Sequence, residues 1–184
     1  IGSIPIIVLG LLFQNAIEHA LRNLWITVAM LAGFGAVIGV IDRLATHRRT
    51  LDHLTWPHGI LYGLAQSLAL IPGVSRSGGT ITAGLAMGYR REAATRYSFL
   101  LAVPAVLGAG LFQLYQGVSG GAAVAWGPTL LAGVISFIVG FIMIAWFLRF
   151  VSTHSFLPFV LYRIGLAAVT AVLLLVGVLD PLGG

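Results

Sequence analysis

Cysteine is absent from the 184 residues, which excludes disulfides and thiolate metal sites. Lysine is absent as well, so all ten basic residues are arginine. Acidic residues are few: Glu18, Asp42, Asp52, Glu92 and Asp180. Charged residues make up 8% of the chain, where a soluble domain carries about 25%. Such a chain cannot cover itself with charge, and its 59% hydrophobic content points to lipid as the solvent. The net charge of +5 suits the bias of arginine toward cytoplasmic loops and calls for no nucleic-acid partner. No charged n-region or cleavage site precedes the first apolar run, so no signal peptide is read, and the start at Ile1 is taken as part of something longer.

What the chain has in quantity is long apolar runs. A hydrocarbon core about 30 Å thick needs about 20 apolar residues per helix. Five stretches meet or approach this: Ile4–Leu21, Leu24–Ile41, Ala93–Tyr115, Pro128–Leu148 and Leu157–Val178. Arg43, Arg48 and Arg49 follow the second, Arg90 and Arg91 precede the third, and Arg149 follows the fourth, while the loop Gln116–Gly127 carries no charge. Placing the arginines on the cytoplasmic side gives one consistent topology, with Arg22 the exception and Glu18 its helical partner. The fold expected is an all-α integral membrane helix bundle, one membrane domain over residues 1–184, multi-pass in the bilayer.

Between two arginine clusters lies His58–Tyr89, which must leave the cytoplasmic side and return to it. Its apolar halves, His58–Ile71 and Gly79–Tyr89, are each too short to span, and Pro72-Gly73 separates them. A re-entrant helical hairpin over residues 58–89 follows, its tip near mid-membrane. Non-helical backbone at that depth persists only where protein or a water-filled cavity covers it. The alternative is a pair of short tilted spanning helices, which would put Arg76 in an outside loop.

The tip reads Pro72-Gly73-Val74-Ser75-Arg76-Ser77-Gly78-Gly79-Thr80. A charge at membrane depth costs roughly 2.5–3.5 kcal/mol even on mild insertion scales, so Arg76 is a functional candidate. Its planar fork grips phosphate oxygens bidentately. Gly73, Gly78 and Gly79 let backbone N–H groups face a ligand, and Ser75, Ser77 and Thr80 add hydroxyl donors. The second half-helix would present its N-terminus and positive dipole end to an anion. Gln66 is read either as facing the cavity or as bonding between helices.

These residues carry a resemblance. Gly63-Leu64-Ala65-Gln66, then Ala69-Leu70-Ile71-Pro72-Gly73-Val74-Ser75-Arg76-Ser77-Gly78-Gly79-Thr80, resembles the second signature of the bacterial undecaprenyl-diphosphatase family, the bacitracin-resistance type. Ser98-Phe99-Leu100-Leu101-Ala102-Val103-Pro104 and Tyr162-Arg163 match it further on. The resemblance implies hydrolysis of undecaprenyl diphosphate to the monophosphate, which recycles the lipid carrier of cell-wall synthesis and confers bacitracin resistance, in the bacterial plasma (inner) membrane. It implies a polyprenyl diphosphate lipid substrate, Mg2+ or Ca2+ as cofactor, and a fold of two re-entrant hairpins as an inverted repeat, of which this chain carries one. It is also compatible with a homodimer. Arg76 and Ser75 take the catalytic positions, with Gly73, Ser77, Gly78, Gly79, Thr80 and Gln66 binding substrate. The family's first signature, with its glutamates and a histidine, has no match here, so the metal ligands are expected in an N-terminal part that the chain lacks.

Two rival readings stand beside it on the residues. Acid-phosphatase-like lipid phosphatases place a histidine soon after the Ser-Arg motif, and here none follows until His154. A polyprenyl-phosphate transporter or flippase would also use a broken helix around an anion and needs no nucleophile. Among the remaining residues, Glu92 is expected to pair with Arg96 at i,i+4, and Arg163 to snorkel to the interface rather than brace the hairpin. Trp25, Trp56, Trp126 and Trp146 are expected as interfacial anchors, and Gly35 with Gly39, and Gly133 with Gly140, as sites of close helix packing.

Overall fold

The computed structural model describes residues 2–13, 23–119 and 125–182, and all regular structure in these is helical apart from an isolated bridge between Arg49 and Tyr89. The helices are α1 (Ile4–Leu12), α2 (Leu24–Leu44), α3 (Trp56–Ser67), α4 (Arg76–Ala86), α5 (Arg91–Ser119), α6 (Trp126–Thr153) and α7 (Leu157–Leu175). Four of them, α2, α5, α6 and α7, are long and apolar enough to cross a membrane. The first predicted span is described only over the nine residues of α1; its continuation to Leu21, and the Glu18–Arg22 pair, lie outside the described residues. The helix predicted over Ala93–Tyr115 runs longer, to Ser119, so the neutral loop begins later than expected.

Local signals explain where these helices start. Asn23 caps α2, its side chain accepting from the Trp25 N–H at 2.8 Å. Proline stands in the first turn of α1, α3 and α7, where its missing N–H has no intrahelical partner to lose. The long helices α2 and α7 run antiparallel, with Leu24 N–H bonded to the Pro181 carbonyl at one end. Gly35 and Gly39 permit the close approach: a side chain there would meet Arg163 and Val160 at 3.4–3.7 Å. Among the described residues, nothing lies within 4 Å of a side chain placed at Gly133 or Gly140, so neither packs in this way there.

At the opposite end, one buried carboxylate ties three helices together. Asp42 Oδ1 accepts from Arg91 Nε at 2.6 Å, joining α2 to α5. Its Oδ2 accepts the Phe156 N–H at 3.1 Å at the start of α7. This is the ion pair the sequence reading missed. The expected Glu92–Arg96 pair is absent among the described residues, and both side chains are exposed there. Arg91 turns instead to the buried carboxylate of Asp42, a partly buried pair that is screened less than one in open solvent.

The segment between these arginines is a hairpin of two short helices. Helix α3 ends in a 3-10 turn at Leu68–Leu70, and α4 begins at Arg76. At its base, Arg48 and Arg49 N–H groups donate to the Gly88 carbonyl at 3.0 and 2.9 Å, and Arg90 N–H donates to the Arg49 carbonyl at 2.9 Å. Tyr89 adds a side-chain lock, with its hydroxyl 2.7 Å from His58 Nδ1 and donating to the His53 carbonyl at 3.1 Å. Between the two arms, Gly79 lets backbone touch backbone, since a side chain there would fall 2.7 Å from the Ala65 carbonyl oxygen.

Candidate functional site

The tip of the hairpin is held by backbone that few residues could supply. Gly73 has φ +93°, and a side chain there would fall 2.6 Å from the Thr27 carbonyl oxygen in the first turn of α2. The tip therefore seats far along α2 from the arginine-rich end. Arg163 of α7 donates from Nη2 to the Gly73 carbonyl. This corrects the expectation that Arg163 snorkels: its stem packs over Gly35 and its guanidinium braces the tip. The carbonyl is part-buried, and the arginine supplies it with a charged donor.

Ser75 follows with φ +73°, a conformation that costs a residue other than glycine of order 1–3 kcal/mol. The strain positions it as the N-cap of α4, where Oγ accepts from Gly78 N–H at 3.3 Å and the Ser75 carbonyl accepts from Gly79 N–H at 2.9 Å. Ser77 Oγ lies 3.3 Å from Ser75 Oγ. The N–H groups of Arg76 and Ser77, in the first turn, have no intrahelical acceptor. Two hydroxyls and a helix N-terminus thus face one place.

That place is a cavity of about 180 Å³, onto which Ser75, Ser77 and Gly78 open from the tip, with Tyr162 and Arg163 opposite on α7. Arg76 stands beside it, half-buried, and its guanidinium has no hydrogen-bond or ion-pair partner among the described residues. Three other predicted site residues are directed elsewhere. Thr80 is buried; its hydroxyl reaches the Arg76 carbonyl at 3.0 Å and Ser98 of α5 at 2.5 Å. Gly79 is pressed between the two arms of the hairpin, as above. Gln66 is fully buried on α3, and neither amide atom has a partner among the described residues. The structure brings together Gly73, Ser75, Ser77 and Gly78 with Arg76 at the edge. Gly79, Thr80 and Gln66 shape the hairpin behind them.

Sequence reasoning missed the wall provided by α7 and α6. Tyr162-Arg163 was its only trace, a polar pair in an apolar helix. The arrangement suits an anion with several oxygens: helix N–H groups and two hydroxyls open on the cavity, the unpaired Arg76 neighbours them in the chain, and no carboxylate is among the lining residues. No group of three or more His, Asp or Glu side chains able to hold a metal exists among the described residues. Asp42, the one buried carboxylate among the described residues, is already occupied by Arg91 and the Phe156 N–H. The described residues therefore do not fit a divalent cation.

Comparison with known proteins adds the following. The family pattern described as "Bacitracin resistance protein BacA" matches residues 1–169. The undecaprenyl-diphosphatase of Kineococcus radiotolerans is 56% identical over 184 residues, covering 100% of this chain and 66% of the relative. That of Renibacterium salmoninarum is 59% identical over 182 residues, covering 97% and 65%. The undecaprenyl-diphosphatase 2 of Agrobacterium fabrum is 55% identical over 183 residues, covering 100% and 66%. The chain thus spans just under two thirds of the length of these relatives.

Proposed function

This chain belongs to the BacA bacitracin resistance protein family, and from that premise we propose that it carries the phosphate-binding part of an undecaprenyl-diphosphatase. In the reaction, water oxygen becomes bonded to the terminal phosphorus of undecaprenyl diphosphate and the P–O–P bridge breaks. Undecaprenyl phosphate and inorganic phosphate are the products. The carrier lipid returns to cell-wall synthesis, and bacitracin resistance follows from removal of the diphosphate.

The observation that carries this reading is the convergence of Ser75, Ser77 and the α4 N-terminus on one cavity beside the unpaired Arg76. In the reading proposed, Arg76 clamps phosphoryl oxygens and stabilises the charge that builds as the bridge breaks. Ser77 and the first-turn N–H groups orient the phosphates. Ser75 holds the turn in register and lends its hydroxyl to the same face. Arg163 keeps the Gly73 carbonyl engaged, so that the loop presents donors rather than acceptors. The ligands for Mg2+ or Ca2+ are placed outside the described residues, and no step here is routed through them.

The same proposal puts the chain in the bacterial inner membrane, with residues 58–89 as a re-entrant hairpin entering from the cytoplasmic side. Its support is the bonding of both hairpin ends to one another beside Arg48, Arg49 and Arg90, with the tip against the first turn of α2. A homodimer is kept within the proposal, and cross-linking in native membranes decides it. The hydrolase reading is preferred to a flippase because the relatives' names speak of hydrolysis.

The test is phosphate release from undecaprenyl diphosphate in detergent with magnesium, with the N-terminal third of a relative supplied. Arg76→Ala is expected to lower release by about 100-fold or more, the scale of losing a group that stabilises transition-state charge. Release at the unsubstituted rate in that variant removes Arg76 from the mechanism.

A further inference from the structure

Behind the tip, the hairpin and α5 share a layer of polar side chains that the anion site does not use. The two arms α3 and α4 run antiparallel, with Ala65 against Gly79, and α5 packs along α4. Gly84 fixes one level of this packing: a side chain there would overlap the Tyr62 hydroxyl and fall 2.7 Å from Ala94 Cβ. The rings of Tyr62 and Tyr97 lie 4.5 Å apart, so α3 reaches α5 at that level too. One helical turn toward the tip is about four residues along each helix. That step leads from Tyr62 to Gln66, from Gly84 to Thr80 and from Ala94 to Ser98. All three residues reached are polar and buried, at 0%, 1% and 3% exposure.

The hydrogen bonds of this layer leave a remainder. The Thr80 hydroxyl donates to the Arg76 carbonyl at 3.0 Å, so in its 2.5 Å contact with Ser98 it accepts and Ser98 donates. The Ser98 oxygen keeps lone pairs to accept with. Gln66 Nε2, Gln66 Oε1 and the Tyr62 hydroxyl are buried atoms without a partner among the described residues. Glutamine reaches less far than tyrosine, so the geometry that brings the Tyr62 hydroxyl to Ala94 leaves the Gln66 amide short of Ser98. Atoms this enclosed are out of reach of any segment laid on the outside of the bundle. Buried polar groups that stand too far apart to bond directly are bridged by ordered water, which takes about three polar partners.

We infer that Tyr62, Gln66 and Ser98 enclose an internal water site, and that Gln66 acts through it as a positioning residue for the tip. The water accepts from Gln66 Nε2 and donates to Ser98 Oγ, while the Tyr62 hydroxyl serves Gln66 Oε1 or the water itself. The lining is neutral and includes an N–H donor, which suits water and not a cation. A chain of donors then runs from Gln66 through the water, Ser98 and Thr80 to the Arg76 carbonyl. It fixes the rotation of the first turn of α4, and with it the directions of Arg76 and Ser77. The positioning role rests on the phosphate-site reading above; the water site does not.

The experiment is X-ray hydroxyl-radical footprinting of the chain in lipid nanodiscs, in which radicals form from bound water and mark the side chains beside it. Tyr62 and Tyr89 are both 0% exposed, but the Tyr89 hydroxyl is already bonded to His58 and His53. Tyr62 is expected to be modified severalfold faster than Tyr89. A rate at Tyr62 no greater than that at Tyr89 overturns the water site, and this comparison needs no substitution. Gln66→Leu exchanges the amide for an apolar side chain of similar size. It is expected to bring the Tyr62 rate down to that of Tyr89 and to hold the unfolding midpoint, since an amide and its water are replaced by packing. Binding of inorganic phosphate by the same variant weakens by about fivefold, the net worth of one hydrogen bond. Unchanged label at Tyr62 in Gln66→Leu overturns Gln66 as a partner of the water. Lost label with unchanged phosphate binding overturns the positioning role. A parent chain that binds no phosphate overturns the phosphate-site reading and the positioning role with it, while the label still decides the water site.

Discussion

The two ends of the hairpin are built on opposite principles. At the base, polar groups find partners: Arg48, Arg49 and Arg90 in backbone bonds, and Tyr89 between His58 and His53. Beside it, Asp42 accepts from Arg91 and from the Phe156 N–H. At the tip, Ser75 sits at φ +73°, Arg76 has no partner among the described residues, and the first-turn N–H groups face a cavity. The base holds the fold together. The tip keeps binding capacity unfulfilled, and strain of this kind survives only where the surroundings over-determine it. The contrast teaches that in this hairpin stability and function occupy different ends, linked by two short helices.

Removing the base anchor should break the contrast most severely. Asp42→Ala leaves Arg91 and the Phe156 N–H without their acceptor, and breaking a buried pair of this kind costs about 3–5 kcal/mol. The unfolding midpoint in detergent should fall sharply, and Asp42→Asn, which can still accept from Phe156, should lose less. Equal midpoints for Asp42→Ala and the parent would show that the base does not carry the fold.

Arg163→Met tests the brace on the tip. It removes a charged donor from the Gly73 carbonyl while keeping the packing of the stem over Gly35. A bond of this type contributes about 1.5–3 kcal/mol. The expected result is weaker phosphate binding by the chain with a smaller drop in unfolding midpoint than Asp42→Ala gives. Unchanged phosphate binding would mean the tip holds its shape without the brace.

The smallest effect sharpens the comparison. Ser75→Gly relieves a positive φ and gives up the side-chain cap, a loss of only a few tenths of a kcal/mol when glycine replaces serine at an N-cap. A net gain of about 1 kcal/mol in stability is expected, together with reduced phosphate release. A variant that is both less stable and fully active would contradict the placement of strain at the tip.

Much of this architecture was legible from residue order. Long apolar runs gave α2, α5, α6 and α7, and the distribution of arginine placed both ends of the hairpin together. Pro72-Gly73 marked the break, and Ser-Arg-Ser among glycines marked the tip. The behaviour of individual polar residues was not legible. Thr80 read as a donor to a ligand, yet its hydroxyl meets Ser98; Gln66 read either as facing the cavity or as bonding between helices, and it is buried with neither amide atom partnered among the described residues. Glu92 read as the partner of Arg96 by local spacing, while Arg91 found a carboxylate 49 residues away.

By itself, then, the sequence determined which segments are helical, which of them are long and apolar enough to cross a membrane, and where the chain breaks between the two short helices. Those outcomes depend on composition and periodicity over a few turns, which local physics governs. Only the tertiary structure decided that Arg163 braces Gly73, that Asp42 joins three helices, and that phenylalanines from α6 and α7 close one end of the cavity. Each of these pairs residues far apart in the chain. Their meeting depends on how helices rotate and approach, which the close contacts at Gly35, Gly73 and Gly79 set and no local pattern encodes.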